Sequence, residues 1–145
     1  MYGFALLSLL GSVFDAIDGY VARQTGKVSL FGGFFDSVCD RVADFFIISA
    51  FGYAELVAWE IVAPALFTTF LVSYLRARAE GVQKGKKMDS GIFQRTGRFL
   101  VVLGGLVIYI LILDVNVLTW VFGVLILLNI ATILQRVYAV YVMKD

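Results

Sequence analysis

The sequence predicts an all-α protein, a polytopic helical bundle integral to a membrane. Three observations carry this. The first is composition: 61% of the 145 residues are hydrophobic, 16% are charged, and the mean hydropathy is +0.90. Soluble domains run near 45–50% apolar and about 25% charged, and a short soluble chain must keep much of its surface wet. The second is a succession of apolar runs near the roughly 20 residues that cross a bilayer at 1.5 Å rise each. The third is the sorting of the charges described below. The single cysteine, Cys39, cannot form an internal disulfide, and the absence of histidine excludes histidine-based catalysis and the usual zinc sites. Twelve basic against eleven acidic residues give no reason to expect a nucleic-acid partner.

Five transmembrane helices are predicted in order. The first runs from Met1 through Asp15 and Asp18 to about Ala22. The second covers about Leu30 to Ala54, acidic in its first half and apolar (FFIISAFGYA) in its second. The third spans roughly Leu56 to Leu75 and contains Glu60 and Pro64, the latter tolerable where neighbours re-satisfy the backbone. The fourth covers about Ile92 to Leu113, and the fifth about Val115 to Tyr138. No internal repeat or domain linker interrupts them, so residues 1–145 read as one domain. If five helices alternate across a bilayer, all 12 lysines and arginines fall on one side. The positive-inside rule makes that side cytoplasmic. Trp59, Trp120 and the tyrosines near run ends fit interfacial anchoring.

The acidic residues concentrate in DAIDGYVARQTGKVSLFGGFFDSVCD, Asp15 to Asp40. Asp15 and Asp18 are three apart, and Asp36 and Asp40 four apart, so each pair shares a helix face. At about 2.5–3.5 kcal/mol per carboxylate at a helix centre, four would cost roughly 10–14 kcal/mol, comparable to a domain's whole stability. Something must compensate them. Divalent metal is the favoured reading, because magnesium takes carboxylate oxygens and keeps positions open for phosphate. Four carboxylates could hold two ions of the kind that clamp attacking and leaving oxygens. Two alternatives stand beside it. One is plain ion pairing with Arg23 and Arg41, or solvated helix ends. The other is an ion pathway, which intramembrane carboxylates also mark.

The full pattern is Asp15-x2-Asp18-Gly19-x2-Ala22-Arg23-x8-Gly32-x3-Asp36-x3-Asp40. It resembles the signature of the CDP-alcohol phosphotransferases, eight fixed residues at matching spacing. The resemblance implies an integral membrane enzyme that transfers a phosphatidyl-type group from a CDP-linked lipid to an alcohol and releases CMP. It implies that Asp15, Asp18, Asp36 and Asp40 hold the metal ions, two of Mg2+ or Mn2+. Asp40 would also be the general base that takes the acceptor's proton. Asp18, Gly19, Ala22, Arg23 and Gly32 would contact the nucleotide, the glycines by allowing close backbone approach. A homodimer in the cytoplasmic membrane, with its active site facing the cytoplasm, is likewise what the family implies.

A second stretch bears on the acceptor. Ser73 to Arg98 reads SYLRARAEGVQKGKKMDSGIFQRTGR. Arg76, Arg78, Arg95 and Arg98 bracket a loop, and guanidinium groups suit bidentate phosphate binding. The SYLRARAE segment, the Arg95-x2-Arg98 pair and Arg136 in LQRVYAVY resemble the branch that makes phosphatidylinositol phosphate or its archaeal ether-lipid counterpart. That branch implies an inositol phosphate acceptor, held by Arg76, Arg78, Arg95, Arg98 and Arg136. One arginine of each pair, Arg78 or Arg98, could instead brace Glu80 or the fold. Lys84, Lys86 and Lys87 read more simply as positive-inside anchors that attract anionic headgroups.

The family has six transmembrane helices, and its signature follows the second. Here it begins with the first predicted helix, and alternation puts Met1 outside without a signal. The expectation is therefore an N-terminally incomplete domain, five helices of a six-helix fold. Rival readings are the same family with glycerol 3-phosphate, serine or free inositol as acceptor, a small ion-conducting membrane protein, or an inactive scaffold homologue.

Overall fold

The computed structural model describes residues 30–82 and 95–142. Among the described residues the secondary structure is entirely helical: α1 (Leu30–Tyr53), α2 (Trp59–Val82), α3 (Arg95–Ile112) and α4 (Asn116–Val142). These correspond to the second to fifth predicted helices. The first predicted helix, Met1 to about Ala22, lies outside the described residues, so the count here is four rather than five. The chain divides into two compact units at Ala50/Phe51. Most of α1 belongs to the first unit, and α2, α3 and α4 form the second.

Two helix ends differ from the hydropathy expectation. α2 continues seven residues past Leu75, through RARAEGV to Val82. Alanine, arginine and glutamate are good helix formers, and an Arg76–Glu80 pair one turn apart adds an i,i+4 contact. α4 likewise runs past Tyr138 to Val142. Pro64 sits inside α2, where the hydroxyl of Thr68 donates to its carbonyl at 2.9 Å.

The connections that hold the second unit are short. After α1, Glu55 takes a left-handed conformation (φ 56°) and its N–H donates to the Gly52 carbonyl at 3.0 Å. The ring of Trp59 lies over Gly52, where a Cβ would come within 2.8 Å of it. Leu113 ends α3, also left-handed (φ 57°), with its N–H on the Tyr109 carbonyl at 2.7 Å. Asp114 then starts α4 by accepting from the Asn116 N–H at 2.9 Å, the role of a short acidic side chain at a helix N-terminus. Three linking residues force α3 and α4 antiparallel. Gly105 brings the two close, since a Cβ there would meet the Val121 methyls at 2.6 Å.

α4 packs against both α2 and α3. Its buried residues are Leu118, Phe122, Leu125, Asn129, Thr132 and Arg136, alternately four and three apart. That is the 3.5-residue repeat of a helix seam. The outside is apolar instead: Trp120 is 76% exposed, Leu111 78% and Leu127 67%. A water-soluble surface does not carry so continuous an apolar patch. Hydrocarbon accommodates it, and Arg98, Asn129 and Arg136 inside find partners on another helix. α2 (Trp59–Gly81) and α4 are long and apolar enough to cross a bilayer. α3 is shorter, about 27 Å at 1.5 Å per residue over its 18 residues, close to the hydrocarbon thickness. The chain is a membrane protein.

Candidate active site

The acidic candidate residues lie on α1, in the first unit. Asp36 and Asp40 lie one helical turn apart, as their spacing predicts, with Asp36 exposed and the Asp40 side chain only 14% exposed. Arg41 stands beside Asp40, Nη1 to Oδ2 at 3.6 Å, and the same Nη1 donates to the Ser37 carbonyl at 2.7 Å. Part of the ion-pair alternative is thus realised: Arg41 does neighbour an aspartate. At that distance and partial exposure the pair is weak. Asp44 continues the four-residue spacing and is half-buried, a position that the sequence reading passed over because the eight-residue signature ends at Asp40. Gly32 lies exposed in the first turns of α1. Asp15, Asp18, Gly19, Ala22 and Arg23 lie outside the described residues. Among the described residues no group of three carboxylate or thiol side chains gathers around one point. Asp36 and Asp40 supply hard oxygen donors of the type magnesium and manganese take.

The basic candidate residues are gathered within the second unit, where the seam of α4 turns polar. Asn129 is fully buried, and its Nδ2 donates to the hydroxyls of Thr68 and Thr69 at 3.2 and 3.0 Å. One turn on, Thr132 donates back to the Leu128 carbonyl at 2.9 Å. Arg136 follows, 4% exposed, with Nη1 donating to the Val72 carbonyl of α2. From the start of α3, Arg98 reaches the same stretch of α2, its Nη1 3.1 Å from the Thr69 carbonyl. Burying an arginine is costly unless it is hydrogen-bonded, and these helix carbonyls meet part of that cost. Three helices therefore converge at Thr69–Val72.

Arg76 stands one turn along α2. Its Nε donates to Oε1 of Glu80 at 3.0 Å, and both side chains are partly exposed. Arg136 lies within electrostatic reach of Arg76, Arg98 and Glu80. Three of the five predicted phosphate-binding arginines thus share one neighbourhood. Arg78 is exposed on the other side of its turn, and Arg95 is the first residue of α3. Arg76, four residues before it, is a partner of Glu80. Arg98 does brace the fold, through the Thr69 carbonyl. Sequence reasoning missed the Thr68–Thr69–Asn129 network. The available signal was the fall of Asn129, Thr132 and Arg136 on one 3.5-residue row.

The sequence model of the CDP-alcohol phosphatidyltransferase family matches residues 1–134. The chain belongs to that family. Among its relatives, the archaetidylinositol phosphate synthase of Pyrococcus horikoshii is 39% identical over 136 residues, 92% of this chain and 66% of that protein. The archaetidylinositol phosphate synthase of Methanothermobacter thermautotrophicus is 40% identical over 106 residues, 71% of this chain and 51% of that protein. The phosphatidylinositol phosphate synthase of Mycobacteroides abscessus is 31% identical over 140 residues, 90% of this chain and 61% of that protein. The chain thus spans just under two thirds of the first of these relatives and less of the others.

Proposed function

We propose that the protein is a membrane enzyme of phospholipid biosynthesis that transfers a phosphatidyl-type group, diacyl or ether-linked, from a CDP-linked lipid to a phosphorylated inositol. The observation that carries the acceptor half is the meeting of Arg76, Arg98 and Arg136, two of them buried, at one end of a three-helix unit. Planar guanidinium groups in a low-dielectric site suit a phosphate dianion far better than a neutral alcohol. The names of the relatives, inositol phosphate lipid synthases, point the same way.

In this reading Arg76, Arg78, Arg95, Arg98 and Arg136 hold the acceptor's phosphate and orient the ring. Asp40 accepts the proton from the attacking hydroxyl. That oxygen bonds to the lipid-bearing phosphorus, the bond from phosphorus to the CMP oxygen breaks, and CMP departs with the electron pair. Asp36 and Asp40, with Asp15 and Asp18, would hold two divalent ions, whose chemistry is to neutralise the diphosphate and the leaving group. Asp18, Gly19, Ala22, Arg23 and Gly32 would seat the nucleotide. We further propose five spans in this chain, a cytoplasmic membrane location with the site facing the cytoplasm, in keeping with the one-sided lysines and arginines, and a homodimer.

The test is CMP release from CDP-lipid by the purified chain across a panel of acceptors, with and without Mg2+ or Mn2+. Inositol phosphate should support release, and glycerol 3-phosphate, serine and free inositol much less; the reverse ranking moves the protein to another acceptor. Asp40→Asn should lower turnover by about 10²–10⁴-fold, the usual worth of a general base, with an unchanged helical circular dichroism spectrum. Full turnover in that variant removes Asp40 from the role.

A further inference from the structure

We propose that Glu80 is a positioning residue of the acceptor pocket: it holds Arg76 by Nε so that the guanidinium edge is presented to the acceptor's phosphate. This deepens the reading above and rests on it for the identity of the ligand. The contact is an i,i+4 pair on α2, Nε to Oε1 at 3.0 Å. Anchoring through Nε is selective in its effect. It fixes the plane of the guanidinium, and among the described residues the terminal nitrogens of Arg76 make no other hydrogen bond. They are therefore available as a two-pronged donor to phosphate oxygens. Without an anchor, an arginine side chain that is 43% exposed would have to be ordered when the ligand arrives.

The surroundings make the ligand an anion. Arg136 lies within electrostatic reach of both members of the pair and of Arg98. Among the described residues that act on Arg136, guanidinium groups outnumber carboxylates, and a phosphomonoester carries about −1.5 to −2 at neutral pH. Glu80 thus has a use other than that of a plain surface ion pair. A carboxylate beside an anion site costs affinity through repulsion, and the orientation of Arg76 offsets that cost.

Two variants separate geometry from charge. Glu80→Gln keeps the reach and an oxygen acceptor for Nε but removes the charge. Glu80→Asp keeps the charge but is one methylene too short to hold Nε in place. Binding of inositol phosphate to the full chain in detergent, measured by calorimetry without CDP-lipid, should be at least as tight in Glu80→Gln as in the parent. It should be weaker by about tenfold in Glu80→Asp, the scale of one charge-assisted hydrogen bond. The CMP-release assay should show the same change in acceptor KM, with kcat and donor KM within about twofold, the pattern of lost uniform binding. In an Arg76→Lys background the Glu80→Asp effect should vanish, since it acts through Arg76. The exposed Glu60→Gln serves as the control and should match the parent. Equal binding by Glu80→Asp and the parent overturns the proposal, as does weaker binding by Glu80→Gln. If the parent binds inositol phosphate but releases no CMP, the transferase reading fails and the Glu80 assignment is decided on binding alone. If the parent binds neither inositol phosphate nor inorganic phosphate, both fail.

Discussion

The two halves of the α4 seam share one geometry and differ in chemistry. Leu118, Phe122 and Leu125 occupy the first half, and Asn129, Thr132 and Arg136 continue the same alternate spacing in the second. All are buried, four of them (Leu118, Phe122, Leu125 and Asn129) with no exposed surface. The apolar half meets its neighbours by shape alone, as with Phe122 against Phe51, ring centroids 5.1 Å apart at 61°. The polar half meets them through hydrogen bonds to Thr68, Thr69 and the Val72 carbonyl. The spacing decides which residues face inward; the residue types decide whether the inward face packs or binds. A bilayer sharpens the contrast, because lipid offers no water to a polar group left without a partner.

Three substitutions test that division of labour, in descending order of expected effect. Arg136→Ala should lower kcat/KM for the acceptor by about 100- to 1,000-fold, the scale of truncating a buried hydrogen-bonded charge, with little change in donor KM. An effect confined to melting temperature would make Arg136 a brace and nothing more. Phe122→Ala should do the opposite. It should destabilise the detergent-solubilised protein by about 3 kcal/mol, the low end for deleting a buried ring, and leave the acceptor KM of the surviving protein unchanged. Altered acceptor binding there would erase the boundary between the two halves. Asn129→Leu, nearly isosteric, should cost only about 0.6–1.7 kcal/mol, the worth of a hydrogen bond between membrane helices. A larger loss, read from chemical unfolding, would mean that the Thr68–Thr69–Asn129 network sets the register of α2 against α4.

The helices themselves were legible because hydropathy and length are enough to find apolar runs. Their ends were not. α2 reaches Val82 because alanine, arginine and glutamate keep a helix going after the apolar run stops at Leu75. α4 starts at Asn116 because Asp114 caps it, a local signal close to where the fifth run was expected to begin. The placement of Asp36 and Asp40 was legible, since a four-residue spacing needs only a helix to become one face. The remaining signature residues, from Asp15 to Arg23, lie outside the described residues. The arginines were legible as a set but not in their division. Which of them meets Glu80 follows from the four-residue step from Arg76. The reach of Arg98 to Thr69 crosses 29 positions of sequence, and no local pattern reports that. The polar seam stayed hidden for a related reason: Asn129 and Thr132 sit among leucines and isoleucines that hide their period.

Arg98 and Arg136 each donate to a backbone carbonyl of α2. A backbone carbonyl is present whatever side chain its residue carries, so substitution at Thr69 or Val72 leaves the acceptor atom in place. The constraint therefore runs in one direction through evolutionary time. Residue 72 can drift as long as the helix survives, and residue 69 is held only by its hydroxyl's bond from Asn129, whereas exchanging Arg98 or Arg136 removes a hydrogen bond that ties α3 or α4 to α2. Loss of either arginine would therefore loosen a helix contact as well as the phosphate site proposed above, and stepwise mutagenesis separates the two effects.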